Sequence, residues 1–302
     1  MKQITIKNDF ISLTVLDYGA IIQKLQVKDK YGNTRNVVVG YENPLEYIND
    51  GFSLGACIGR YAGRISKESI ILKGKTYPIY AENGIHLHGG KEGFGKKYWT
   101  FIEKSPDKYP FVELSYLSPD MEEGYPGNLK ATVTYKLLDN ALHITHKAIT
   151  DKTTVVNLTN HSYFQLDDAD TVDHYKLYVN SSQRLEICKD LIPTGKHIPV
   201  LNSDYDFLSD RRISKISLDT PYIIDDNTKE AAKVYSDITG IHMQVTTNQP
   251  AMVLYTPKSF PAICFETQNY PDAPNKPHFP SSILHPGETY YNHSVFEFGF
   301  VN

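Results

Sequence analysis

Residues 130–149 read KATVTYKLLDNALHITHKAI. Ala131, Val133 and Tyr135 alternate with Thr132, Thr134 and Lys136. Successive side chains of a strand point to opposite faces, so this run has one apolar face and one polar face. Asp139–Asn140 then supplies turn residues, and a second alternating run follows. The stretch predicts an antiparallel hairpin with one face toward a core.

The same period of two extends outward from it. ISLTVLDYGAIIQKLQVKD (11–29) alternates until Gly19 breaks it, and a turn at Tyr31–Gly32–Asn33 leads into another apolar run. GIHMQVTTNQPAMVLYTP (240–257) repeats the hairpin-like pattern. Few stretches carry apolar residues at helical spacing; LDDADTVDHYKLYV (166–179) and DRRISKI (210–216) are expected to supply a short helical turn each. Many short strands with frequent turn signals predict an all-β fold, a sandwich or a barrel. The chain has no internal repeat of 20–50 residues and no low-complexity linker, so residues 1–302 are expected to form a single domain.

Composition narrows the function classes. The net charge of −4, without a basic stripe, gives no reason to expect a nucleic-acid partner. Cys57, Cys188 and Cys264 are odd in number and far apart, which argues against a disulfide scaffold and against a Cys-based zinc site. The first residues contain no apolar signal core, and no apolar run approaches the ~18 residues of a membrane span. A cytoplasmic protein with no membrane association is expected. The 22 tyrosines against one tryptophan suit a β-rich protein or a sugar-facing surface. A P-loop, a dinucleotide glycine fingerprint and a GxSxG elbow are all missing, so no nucleotide cofactor and no serine nucleophile is expected.

Four stretches carry groups capable of chemistry. In NGIHLHGGKEGFGKKYW (83–99), His86 and His88 would share one strand face, as strand-end histidines or as two metal ligands. In VVNLTNHSYFQL (155–166), Val155, Asn157, Thr159 and His161 would share a face toward solvent or a pocket. In CIGRYAGRIS (57–66), Arg60 and Arg64 suit either structural salt bridges or hydroxyl and carboxylate recognition. In AICFETQNYPDA (262–273), Glu266 follows an apolar strand. It is either paired with a cation or kept as a proton acceptor of tuned pKa. Together they describe cofactor-free acid–base chemistry on a polyol.

These segments resemble the aldose 1-epimerase (galactose mutarotase) family over nearly the whole chain. GRYAGRI, HLHGGKEGFGKKYW, EEGYPG, VNLTNHSYFQL, LIPTG, LDTPYIID and ETQNYPDAPNKPHFPSSILHPGETY are similar to the family's motifs, in the family's order. The resemblance implies a large antiparallel β-sandwich with an open cleft across one sheet. It implies interconversion of the α and β anomers of free hexoses without metal or other cofactor. Matched position by position, Glu266 is the expected general base and His161 the general acid. Arg64, His88 and Asp219 are expected to bind sugar hydroxyls or the ring oxygen. Glu266 is expected to be ionised and His161 protonated, each favouring the charge of the other. Two positions depart from the pattern: Gly63 stands where many members have Asn, and Val253 where many have Gln. Both remove a hydroxyl contact and bear on sugar preference. The rival readings are a phosphosugar epimerase with extra cleft Arg or Lys, a non-catalytic sugar-binding module, and a metal enzyme using His86, His88 and His161. A monomer or homodimer is expected.

Overall fold

The hairpin at 130–149 forms as expected: Leu129–Leu138 pairs antiparallel with Ala141–Thr150 across a turn in which Asp139 has φ 48°. Ala131, Val133 and Tyr135 are fully buried. The computed structural model describes residues 1–301. The hairpin lies within a nine-stranded sheet ordered Thr100–Ser105, Phe111–Ser118, Leu129–Leu138, Ala141–Thr150, Tyr290–Phe300, Ile241–Thr247, Ala232–Tyr235, Lys176–Val179 and Arg211–Arg212. A six-stranded sheet runs Tyr163–Phe164, Ile263–Gln268, Ala251–Tyr255, Asp219–Ile223, Gln183–Ile187 and Pro193–Pro199. A four-stranded meander over residues 3–36 completes the larger sheets. The strand ladders are antiparallel, so the all-β sandwich expected from the alternation is the fold.

One core joins the layers. Val133, Tyr135, Met243 and Val245 of the nine-stranded sheet cluster with Met252, Leu254, Ile263 and Phe265 of the six-stranded one. Phe164 stacks on Phe296 across the layers with ring centroids 5.5 Å apart. Each such side chain contributes roughly 1.5–3 kcal/mol by leaving water, which is why one face of every strand is apolar.

Two local expectations fail. Neither 166–179 nor 210–216 is helical; Lys176–Val179 pairs between Ala232–Tyr235 and Arg211–Arg212, and the latter forms the sheet edge. Only short 3₁₀ turns occur, at Pro44–Asn49, Phe94–Lys96, Glu122–Gly124 and Ala273–Asn275, among the described residues. The 240–257 segment is not a hairpin either. Ile241–Thr247 lies in the nine-stranded sheet and Ala251–Tyr255 in the six-stranded one. The turn between them therefore carries the chain from one layer to the other. Among the described residues, no helix is long and apolar enough to cross a membrane.

Candidate active site

Ile263–Gln268 is buried at every residue and pairs on both sides, with Tyr163–Phe164 and with Ala251–Tyr255. Phe265 points into the core, so the pleat turns Cys264, Glu266 and Gln268 toward the opposite face. Cross-strand partners share a face. Tyr163, Cys264, Tyr255 and Asp219 therefore form one row, and Glu266, Val253 and Pro221 the next. Apart from the buried Cys264, these rows floor a cavity of about 560 Å³ that also takes in Arg64, His88 and His161. The five residues expected to carry function come together there from five segments of the chain.

Glu266 is 3% exposed and His161 4%. Glu266 Oε1 lies 3.6 Å from His161 Nε2, while Oε2 has no partner. The His161 ring is packed by Tyr163 and meets His88 edge-on at 5.2 Å. Arg64 and Asp219 face each other at 3.4 Å across the cleft wall, each about a quarter exposed. Gln268 Oε1 is buried and unpartnered as well. An unsatisfied buried oxygen costs ~1–3 kcal/mol, and a hydroxylated ligand would relieve both of these.

Burial pushes the Glu266 carboxyl up to about 8, with Asp219 adding to the effect and Arg64 opposing it. Burial pulls the His161 imidazole down to about 4, against a hydrogen bond to its own backbone. The expectation of a resting carboxylate–imidazolium pair is therefore corrected. Burial favours the uncharged form of each, so the pair rests neutral with its shared proton on Glu266.

His88 is held in one tautomer. The chain turns at His88, Gly89 and Gly90, all at positive φ. A Cβ on Gly89 would sit 1.7 Å from the Gly59 carbonyl oxygen, so only glycine fits. The Gly63 N–H donates to His88 Nδ1 at 3.2 Å. Nδ1 is thus an acceptor, and the proton of the neutral ring sits on Nε2. Burial and the neighbouring His161 and Arg64 hold His88 well below its usual range, which keeps it neutral. Gly63 has φ 79°, and a Cβ there would crowd Gln268 and Pro271.

The remaining sequence readings separate. His86 does not share the His88 face: its Nδ1–H donates to the Tyr80 carbonyl at 2.6 Å and its Nε2 meets the Tyr125 hydroxyl. A triad of His86, His88 and His161 is therefore not assembled. The group that does cluster is His88, His161 and Glu266. There, the Gly63 amide leaves His88 Nε2 as an N–H, a poor metal ligand. Arg60 is a structural cation, 2% exposed, that donates to the carbonyls of Ser118, Pro119 and Gly127 and to Ser118 Oγ. Asn157 and Thr159 do not face solvent. Asn157 donates to Ala62 and accepts from the Asn269 amide, and Thr159 donates to the Thr267 carbonyl. They fix the irregular segment that carries His161 into the cleft. The sequence reading did not single out Tyr255, Gln268, Lys91, Lys96 or Leu191 for the lining. Gln268 follows Glu266 by two and was findable from alternation; the others need the strand register or the loop paths.

The chain matches the aldose 1-epimerase family over residues 2–297. It is 34% identical to galactose mutarotase of Sus scrofa, covering 98% of this chain and 93% of that protein. It is 31% identical to aldose 1-epimerase of Escherichia coli strain K12, covering 98% and 95%. Among solved structures, an aldose epimerase homologue from C. elegans superposes with a TM-score of 0.95 at 30% identity, covering 100% of this chain and 99% of that one. Galactose 1-epimerase from Lactobacillus acidophilus NCFM superposes with a TM-score of 0.89 at 28% identity, covering 99% and 95%. With its cleft residues assembled on this sandwich, the chain belongs to the aldose 1-epimerase family.

Proposed function

We propose that the cleft interconverts the α and β anomers of free hexoses such as galactose and glucose, with Glu266 as base and His161 as acid. Family membership makes the protein an isomerase, an aldose 1-epimerase. The observation that carries the residue assignment is the buried Glu266–His161 pair, 3.6 Å apart, with the second carboxylate oxygen buried and unpartnered.

In this reading a sugar enters with its C1 hydroxyl at Glu266 and its ring oxygen at His161. The single proton of the pair moves from Glu266 to His161, giving the reactive carboxylate and imidazolium. Glu266 takes the C1 hydroxyl proton, His161 protonates the ring oxygen, and the C1–O5 bond breaks to the open aldehyde. Rotation about C1–C2 turns the other carbonyl face toward the ring oxygen, and closure returns both protons. Each positioned acid or base contributes about 10²–10⁴-fold. His88, through its fixed Nε2–H, Arg64 and Asp219 hold the hydroxyls. No redox step occurs, so the reaction needs no cofactor.

Glu266→Gln should retain the fold and lose nearly all mutarotation of galactose in polarimetry; wild-type activity in that variant overturns the assignment. A second reading has one favourable observation: Lys91 and Lys96 line the same cavity, as a phosphorylated aldose would require. Asp50 and Glu82 on that lining oppose it. Comparing rates on galactose and glucose 6-phosphate separates the two. The shared core supports one domain over residues 1–302, and the three free thiols suit the cytoplasm. A monomer or homodimer without a nucleic-acid partner is the accompanying assembly.

A further inference from the structure

The strand Ile263–Gln268 presents two polar groups to one imidazole. Cys264 and Glu266 lie two residues apart on the same face. Cys264 Sγ is 3.7 Å from His161 Nδ1, and Glu266 Oε1 is 3.6 Å from His161 Nε2. The ring is thus spanned between thiol and carboxyl on one rigid strand. Cys264 is fully buried, and burial holds its thiol well above the usual range, so it stays S–H. A neutral thiol is both a weak donor and a weak acceptor.

The acceptor capacity matches the chemistry proposed above. His161 Nε2 must give a proton as the ring opens and take one back as it closes. A carboxylate at Nδ1 would hold the imidazolium and resist the giving. An apolar group would leave Nδ1 without a side-chain partner on that side. Because the moving proton travels through Nε2, Nδ1 keeps its own proton throughout, and the sulfur is placed to accept from it in both states of the ring.

We infer that Cys264 is a positioning residue for His161, holding the imidazole against Glu266 by accepting from its Nδ1–H. The inference rests on the assignment of His161 as the acid. The other titratable and charged groups around the ring are His88, Tyr163 and Tyr255, with Arg64 and Asp219 acting on Glu266 from the wall.

The test compares Cys264→Ala and Cys264→Ser with the wild type by polarimetry on galactose from pH 4 to 9, with circular dichroism melts of each. Cys264→Ala should lower kcat about five- to twenty-fold with KM within about two-fold. Cys264→Ser should return kcat to within about three-fold of wild type, since a hydroxyl also accepts. A folded Cys264→Ala with wild-type kcat overturns the inference, as does equal impairment of both variants. Should Cys264→Ala fail to fold, ¹⁵N imidazole shifts of wild-type His161 decide: a ring proton fixed on Nδ1 supports the role, and one on Nε2 or averaging between tautomers overturns it. A wild type without mutarotation would instead sink the functional reading itself.

Discussion

Burial acts on Glu266 and His161 in opposite senses, raising the carboxyl to about 8 and lowering the imidazole to about 4. Because the two share one proton, these values belong to the pair and not to either residue. Below about pH 4 the pair gains a second proton, and above about pH 8 it loses its only one. We therefore expect kcat/KM for galactose to be bell-shaped, flat from about pH 5 to 7, with limbs near those values. A single limb near pH 6.5 would contradict the pairing. The same shifts predict stability. An unfolded Glu ionises near 4.5 while the folded one keeps its proton to about 8. The native state therefore binds the extra proton in that window, and its stability falls as pH rises. His161 acts the other way only between about 4 and 6.5, where the unfolded ring is the one that gains a proton. Glu266→Gln removes the carboxyl contribution. Urea melts should show the variant gaining on wild type as pH rises, by ~2–4 kcal/mol at pH 8, with the gain vanishing near pH 4.5.

At the scale of elements, the register of three strands decides what Glu266 meets. Its cross-strand partner is Val253, which in turn pairs with Pro221. Neither offers a donor, which is why Oε2 is unpartnered. Val253→Gln would place an amide beside the carboxylate and favour its charged form. The alkaline limb of kcat/KM should then move down by about one unit; an unmoved limb would show that the amide does not reach Glu266. The alternation in the sequence shows which residues of a strand share a face, enough to have placed Gln268 beside Glu266. It could not reveal that Val253 and Asp219 flank them. Register between strands depends on core packing and turns far away in sequence. The failed hairpin at 240–257 has the same cause: alternation marks two strands but not the sheet each joins. The two unformed helical turns were short polar runs that pairing at a sheet edge captured.

For the molecule as a whole, Arg60 ties the wall of the cleft to the nine-stranded sheet. Its guanidinium donates to Ser118 at the end of Phe111–Ser118 and to the turn at Pro119 and Gly127. That turn also presents the Glu123 carboxylate to the amides of Lys91 and Glu92, just beyond His88. Removing a buried cation that satisfies several carbonyls leaves each of them unpaired. Arg60→Met should cost more than ~3 kcal/mol in denaturant melts. A cost below ~1 kcal/mol would mean that water replaces the guanidinium. By residue type and spacing Arg60 and Arg64 look alike, four residues apart in one glycine-rich run. The family resemblance picks out Arg64, and the path of the chain gives the physical reason that Arg60 is the structural one.

The strand that carries Cys264, Glu266 and Gln268 is buried at every residue, paired along one edge with Ala251–Tyr255 and at Ile263 and Cys264 with Tyr163–Phe164 on the other. Its paired amides should exchange with deuterium slowly, together with the core beneath them. The reactive carboxyl thus sits on a slowly exchanging part of the molecule. On heating, catalytic competence and native structure would disappear at one temperature, with no inactive folded state between them.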